Sequence, residues 1–171
     1  MAQRDFTCKY KLTRELIDEY VAATMKKTER FLKIAALLTW AAAIVILVFG
    51  NGLFYAVWTA AIGLMLYLDG QFLLRRHSAS QLRKTYRKEY GSEEVEVQVR
   101  LAEVIHYRIG GTFMKCSYMD IKAVDETEHL MIFSFDDGTI PFLTVDLNDY
   151  QKEQLHKFIE KRSPVPIQKA G

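Results

Sequence analysis

Side chains that commonly carry catalysis or bind metals are spread thinly along this chain. The four histidines are His77, His106, His129 and His156. None of them has a second histidine or a cysteine at the short spacing that a zinc site requires. Cys8 and Cys116 lie far apart and form no CxxC pair, so the sequence implies reduced thiols rather than a disulfide framework. We therefore expect no bound metal and no cofactor.

The acidic clusters and the glycines form no recognisable catalytic motif either. The sequence contains no Walker A loop, no dinucleotide-binding glycine pattern and no GxSxG motif. Asp125-Glu126 and Asp136-Asp137-Gly138 fall where strands end or turns begin, and acidic residues there are usually solvated. An EF-hand would need more ligands. We expect a protein that is not an enzyme, and a membrane enzyme of unrecognised chemistry is an alternative.

Charge is distributed unevenly along the 171 residues. Residues 1–33 carry a net charge of +3, residues 34–90 of +4, and residues 91–171 of -5. The acidic C-terminal part shows no basic stripe in its sequence, which argues against a nucleic-acid partner. Its acidic side chains would favour a basic segment of a protein partner.

The most unusual segment is a run of 35 uncharged residues from Ile34 to Leu68. One straight helix of that length would measure about 52 Å, whereas the hydrocarbon core of a bilayer is about 30 Å thick. Gly50-Asn51-Gly52 interrupts the run and supplies a short reversal. The pattern predicts transmembrane helices over residues 31–49 and 53–74, and strands are excluded because two strands cannot close a barrel. A buried helical hairpin in a soluble protein is the alternative.

Basic residues flank both ends of this predicted hairpin. Lys26, Lys27, Arg30 and Lys33 precede the first helix, and the loop at Asn51 is uncharged. The cations after the second helix are Arg75, Arg76, Arg83, Lys84, Arg87 and Lys88. By the positive-inside rule both termini are cytoplasmic, which predicts a multi-pass protein of the inner (plasma) membrane. The N-terminus has no apolar segment before a cleavage site, so we expect no signal peptide.

Two polar features near the predicted membrane edge have more than one interpretation. The six cations on the predicted exit helix, residues 75–90, would bind anionic lipid headgroups, or they serve only to orient the chain. Lys33 and Asp69 each lie 18 residues from Asn51, so folding the chain there brings them to the same depth. They would then form an interfacial ion pair, or each would extend separately to the interface.

Small residues recur in both apolar segments. They are Ala35, Thr39 and Ala43 in the first segment and Ala56, Ala60 and Gly63 in the second. Small residues four apart allow two helices to approach closely, so this spacing predicts a close contact between the two segments.

Outside the apolar run, the sequence predicts an α+β domain. Residues 1–12 predict a first strand and residues 13–30 an amphipathic helix. After Gly91 the hydrophobic period becomes two and six further strands follow, with turns at Gly110-Gly111 and Asp137-Gly138 and an edge strand at Pro141. This domain spans residues 92–163 and ends with a helix, and residues 164–171 form a tail. If the first strand joins the sheet, it could bring Cys8 and Cys116 near each other.

Seven antiparallel strands capped by a C-terminal helix match a pleckstrin-homology-like (PH-like) plan. The fold class expected is therefore an α+β membrane protein, with a transmembrane helical hairpin inserted after the first strand of a PH-like antiparallel β-barrel or sheet.

Nearly the whole chain resembles the bacterial YcxB-like family. The resemblance rests on "FTCKYKLTRELIDEYV", the two apolar segments, the basic exit and "YMDIKAVDETEHLMIFSFDDGTIPFLTVDL". The residues that match the family's motif are Tyr118, Ile121, Ile140 and Pro141. Tyr118 stands where the family usually has tryptophan. The resemblance implies the fold and the membrane location, and it implies no established reaction.

These observations predict a non-enzymatic integral membrane protein that displays a cytoplasmic PH-like domain. The domain would act as an adaptor that binds a protein or peptide at a sheet edge and in the groove beside its C-terminal helix. The alternative is a sensor of anionic lipid headgroups at the inner membrane surface. The partners expected are membrane lipids and a protein or peptide, without nucleic acid.

Overall fold

A computed structural model of the chain describes residues 5–50 and 52–169, apart from the side chains of Lys27 and Gln71. The fold is α+β and divides into two compact units. One unit, called here the sheet unit, contains the residues up to Ala23 and those from Leu82 onward. The other, called here the helix unit, contains Thr24–Gln81. The predicted turn residue Asn51 lies outside the described residues.

The described residues form four α-helices. They are α1 (Arg14–Phe49), α2 (Leu53–Leu68), α3 (Leu74–Tyr90) and α4 (Asp149–Glu160). A π-helix, Asp69–Leu73, connects α2 to α3, and a 3-10 turn spans Tyr118–Asp120. The predicted amphipathic helix and the first predicted membrane helix are thus one uninterrupted helix, α1. The second predicted membrane helix has a π-helical end, because its last turn hydrogen-bonds with i→i+5 spacing.

Eight strands form two four-stranded sheets in the described part of the chain. The strands are β1 (Phe6–Leu12), β2 (Val95–Leu101), β3 (Ile105–Ile109), β4 (Thr112–Cys116), β5 (Ala123–Glu126), β6 (Leu130–Ser134), β7 (Thr139–Leu143) and β8 (Ile167–Lys169). The first sheet has the order β1-β2-β3-β4 and is antiparallel throughout. The second has the order β7-β6-β5-β8.

The first sheet follows the predicted period of two. On β2, Val95, Val97, Val99 and Leu101 are buried, while the residues between them are exposed. Such alternation places one face of the sheet in the core and the other in solvent. The predicted turn at Gly110-Gly111 is confirmed, since it joins β3 to β4 directly and Gly110 has a φ of 55°.

The second sheet is more deeply buried, and α4 contacts its strand β5 through His156 and Glu126. Four of the five residues of β6 are buried. Pro141 lies on β7, which is an edge strand as predicted. Helix α4 begins with a capping box, in which the Asn148 side chain accepts a hydrogen bond from the Gln151 backbone and the Gln151 side chain accepts one from the Asn148 backbone.

One strand falls in the predicted tail. Pro164 and Pro166 prevent α4 from continuing and favour extended backbone, and the chain then adds Ile167–Lys169 to β5 in parallel. Periodicity could not predict this strand, because three residues are too few to show an alternation.

The helix unit is held together by contacts between α1 and α2. The indole Nε1 of Trp40 donates a hydrogen bond of 3.2 Å to the carbonyl oxygen of Ala60. A Cβ atom added to Gly63 would lie 2.5 Å from the Trp40 ring, so only glycine allows this approach. The two helices therefore pack closely.

The small residues buried in the helix unit follow a spacing different from the predicted one. On α1 and α2 they are Ala36, Ala43, Ala56 and Gly63, seven residues apart on each helix, and Gly70 in the π-helix and Ala79 on α3 are also buried. Thr39 instead donates its hydroxyl hydrogen to the carbonyl oxygen of Ala35, within its own helix. A spacing of seven matches two helical turns, so each helix presents one narrow strip of small residues to the other.

Within residues 5–50 and 52–169, one helical segment is long and apolar enough to cross a membrane. This segment is Thr28–Phe49, which has 22 residues, and only 11% of its apolar window is buried. The apolar helix α2 has 16 residues and is shorter than a usual span.

Candidate functional site

The β5 edge carries an added strand from the chain's own tail. In the parallel pairing, Val124 lies opposite Ile167 and Glu126 lies opposite Lys169. Ile167 is half-buried, whereas Gln168 and Lys169 are exposed. A three-residue parallel strand makes few hydrogen bonds, so its pairing is weak compared with the longer antiparallel pairs of the sheet.

Helix α4 provides a polar contact beside this edge. The Nε2 atom of His156 on α4 lies 2.8 Å from a carboxylate oxygen of Glu126 on β5. The buried face of α4 contributes Leu155 and Ile159 to the core. Strand β5 therefore carries two carboxylates, those of Asp125 and Glu126, next to the edge at which the tail strand pairs.

A second carboxylate–histidine contact fixes the turn between β5 and β6. One oxygen of the Glu19 carboxylate accepts a hydrogen bond of 2.8 Å from the backbone N–H of His129, and the other oxygen lies 2.8 Å from His129 Nδ1. Burial acts to raise the pKa of Glu19, but hydrogen bonds from Thr127 and His129 outweigh it and hold the pKa below its ordinary value. Helix α1 is thereby tied to the second sheet.

The other two histidines also stay apart from each other. His77 contacts Gln81 on α3, and His106 stacks on Phe113 in the first sheet. Among the described residues, no three histidine, cysteine or acidic side chains come together in a way that could hold a metal ion.

The two cysteines lie at opposite edges of the first sheet. Strand β1 does join that sheet, but it pairs with β2, whereas Cys116 is on β4 at the far edge. Three strand spacings of about 4.8 Å separate the two edges, so the expected proximity of Cys8 and Cys116 is wrong. Burial raises the pKa of the Cys8 thiol to about 11.

The residues of the family-like motif lie in the core. Ile121 and Ile140 are buried, and the carbonyl oxygen of Pro141 accepts a hydrogen bond from the Tyr10 hydroxyl. Tyr118 packs edge-on against Phe158 and donates its hydroxyl hydrogen to the carbonyl oxygen of Ala102. The motif residues therefore stabilise the sheet unit, and among them Tyr118 also lines an open pocket with Ser117 and Arg162.

Half of the six cations predicted to contact lipids are engaged in ion pairs. Arg75 contacts Glu29, Arg83 contacts Asp18 at 3.4 Å, and Arg87 contacts Glu93 at 3.8 Å. In the part of the chain that the structure describes, Arg76, Lys84 and Lys88 have no carboxylate within ion-pair distance. The number of cations free to meet headgroups is thus smaller than the sequence suggested.

The helix unit contains an ion pair that the sequence reasoning missed. The carboxylate of Glu29, which is only 4% exposed, accepts two hydrogen bonds from the Arg75 guanidinium, one of them 2.6 Å long. Lys33 and Asp69 form no ion pair with each other among the described contacts, and Asp69 is exposed. Glu29 and Arg75 lie at similar distances from the interruption at residues 50–52, and this similarity is the sequence signal that could have predicted the pair.

The outer face of the first sheet carries five cations that only folding brings together, two of them from β1, outside residues 91–171. Its cations come from all four strands: Lys9, Lys11, Arg100, Arg108 and Lys115. Composition could not show this, because the acidic residues of the region lie mainly elsewhere and the cations are separated in sequence.

Comparison of the chain with models of protein families, with curated proteins and with solved structures gave no significant match. The resemblance to the YcxB-like family therefore stays a prediction.

Proposed function

We propose that this protein is a non-enzymatic membrane protein whose sheet unit binds an extended segment of a protein partner at the β5 edge. The partner strand would take the position of β8 and pair with Val124–Glu126. Carboxylates on β5 favour a partner with a cation near an apolar residue, the pattern that the tail itself has in Ile167 and Lys169.

The observation that carries the proposal is the tail strand itself. β8 shows that the β5 edge accepts an extended segment, with its backbone hydrogen-bonded to β5. Main-chain pairing of this kind gives affinity, while alternate side chains give specificity. Because β8 pairs with β5 over only three residues and is largely exposed, its pairing is weak enough for a partner strand to displace it.

The membrane location belongs to the same proposal. The largely exposed apolar segment Thr28–Phe49 and its close packing on α2 support a two-helix membrane hairpin. The proposal places both termini in the cytoplasm on the basis of the flanking cations alone. Four strands in one sheet, a second sheet and a capping helix support a PH-like plan of the YcxB-like type.

A labelled peptide that copies residues 163–169 tests the proposal on the full chain in detergent. Replacing Ile167→Asp should release the tail, because a charged side chain is disfavoured at a half-buried position. We expect the peptide to bind this variant about ten-fold more tightly than the wild type, as measured by fluorescence polarisation.

Two matched controls complete the experiment. Gln168→Ala changes an exposed residue of the same strand and should leave peptide binding as in the wild type. A peptide with glutamate in place of its final lysine should bind less well, because it faces Glu126. Equal peptide binding by the wild type and the Ile167→Asp variant would refute strand addition at this edge.

A second candidate function is recognition of anionic lipid headgroups. It is favoured by the three cations of α3 that have no ion-pair partner among the described residues: Arg76, Lys84 and Lys88. Replacing all three by glutamine should reduce the anionic lipid that stays bound during purification, as measured by mass spectrometry. Unchanged lipid retention would show that these cations serve only to orient the chain in the membrane.

A further inference from the structure

The outer face of the first sheet presents cations and aromatic rings in two rows. Residues that lie opposite each other in an antiparallel ladder point to the same face. One row is Lys9, Gln98, Arg108 and Phe113, and the next is Thr7, Arg100, His106 and Lys115. We call this surface the basic face, and it is distinct from the β5 edge.

Two concavities on the basic face share the same central side chains. One, of about 230 Å³, is lined by Gln98, Arg100, His106, Arg108 and Phe113. The other, of about 390 Å³, is lined by Lys9, Glu96, Gln98, Arg108 and Gly110. Arg108 and Gln98 line both, so a ligand that crosses the strands would contact them at its centre.

The ion pairs on this face leave Arg108 available. Lys9 pairs with Glu96 at 2.6 Å, and Arg100 pairs with Asp5 at 2.6 Å. No carboxylate of the described residues lies within ion-pair distance of Arg108 or Lys115. With five cations against two carboxylates, the surface is complementary to an anionic ligand.

An aromatic platform lies beside Arg108. Phe113 is 54% exposed, and His106 stacks on it with ring centroids 5.8 Å apart. Exposed rings among cations are the combination on which single-stranded nucleic acids stack their bases while cations contact the phosphates. The Gln98 amide both donates and accepts hydrogen bonds, so it can meet a base edge.

The basic face offers side chains rather than backbone groups, and this favours nucleic acid over an acidic peptide. Backbone groups of β2 and β3 are already paired on both sides, so the face offers only side chains to a ligand. A peptide lying on it would leave its own backbone groups without partners, which is costly. The phosphates of a nucleic acid, in contrast, can be paired by cationic side chains alone. We therefore propose that the basic face binds single-stranded nucleic acid.

The test uses the full chain in nanodiscs of zwitterionic lipid and a labelled oligothymidylate of about 20 nucleotides, which exceeds the span of a single sheet domain. Anisotropy should show binding that weakens as salt increases. Arg108→Ala should reduce the salt slope by about 0.7, the value for one lost phosphate contact. Phe113→Ala should weaken binding at least about five-fold, the loss of one stacked base.

Lys161→Ala is the matched control, because it removes an exposed cation at the end of α4, away from the basic face. It should leave the affinity and the salt slope unchanged. Circular dichroism of each variant checks that the fold is retained, and Arg108→Lys should restore the slope. Binding that is absent at low salt, or unchanged in Arg108→Ala and Phe113→Ala, would overturn the proposal. So would equal competition by polyglutamate or by vesicles of anionic lipid.

Discussion

The contact between Glu29 and Arg75 gives a quantitative prediction about the helix unit. Glu29 is almost completely buried, while the Arg75 side chain is 49% exposed. Hydrogen bonds to charged groups contribute about 1.5–3 kcal/mol, whereas exposed ion pairs contribute about 0.2–1 kcal/mol. With one partner buried and the other half exposed, we expect a coupling energy of about 1–2 kcal/mol.

A double-mutant cycle measures this coupling. The variants are Glu29→Gln, Arg75→Ala and the combination of both, each unfolded by added SDS in mixed micelles. Trp40 is a suitable fluorescent reporter, because its hydrogen bond to Ala60 joins α1 to α2. The single changes should each destabilise the helix unit, and the second change should cost little once the first has been made.

Lys33 and Asp69 supply the matched control cycle, with Lys33→Gln and Asp69→Asn. Both residues lie close to the first pair in sequence, yet no contact joins them among the described residues. Their effects should add within about 0.5 kcal/mol. Additive effects for Glu29 and Arg75, or an equally large coupling for Lys33 and Asp69, would contradict the helix register described here.

Three further predictions concern topology, thiol chemistry and pH. A reporter inserted at Asn51 should be external while one at either terminus is cytoplasmic, and a cytoplasmic reading at Asn51 would exclude the membrane hairpin. Maleimide labelling of Cys8 at pH 8 should be about 100-fold slower than labelling of the unfolded chain, because its pKa is about 11; labelling at equal rates would show that the thiol is not buried. Glu19→Gln should destabilise the sheet unit by about 1–2 kcal/mol at pH 7. The pKa of Glu19 is lower in the folded than in the unfolded protein, so this stabilisation is present above the unfolded pKa, near 4.3, and is lost as pH falls through the folded pKa. The wild type and Glu19→Gln should therefore have equal free energies of unfolding in acid. A difference between them that persists in acid would implicate packing instead.

Sequence periodicity predicted the elements that repeat over many residues. The alternation on β2, the glycine turn after β3 and the apolar length of α1 are local properties, and each reappears in the structure. The strand β8 could not be predicted, because its position depends on an open edge of β5 rather than on its own three residues.

Features that depend on which elements become neighbours were harder to predict. The two cysteines are both on edge strands, but strand order decided that the edges are opposite ones. The basic face was hidden by a net negative segment charge, since charge summed along a chain does not show which side chains share a face. Glu29 was overlooked because an acidic residue among lysines looked like part of a solvated helix end.

The pairing of β1 with β2 has a consequence for how the protein can assemble. These strands pair over seven residues, from Phe6 opposite Leu101 to Leu12 opposite Val95, yet more than eighty residues of helix and connection separate them. During synthesis, β1 must therefore wait until the whole apolar stretch and the basic helix have left the ribosome. A fragment that starts after Gly91 would lack β1, and the outer edge of β2 would then be open to pairing with other copies. The first sheet can therefore be completed only after the helices have been synthesised. Truncation to the acidic C-terminal part should favour aggregation.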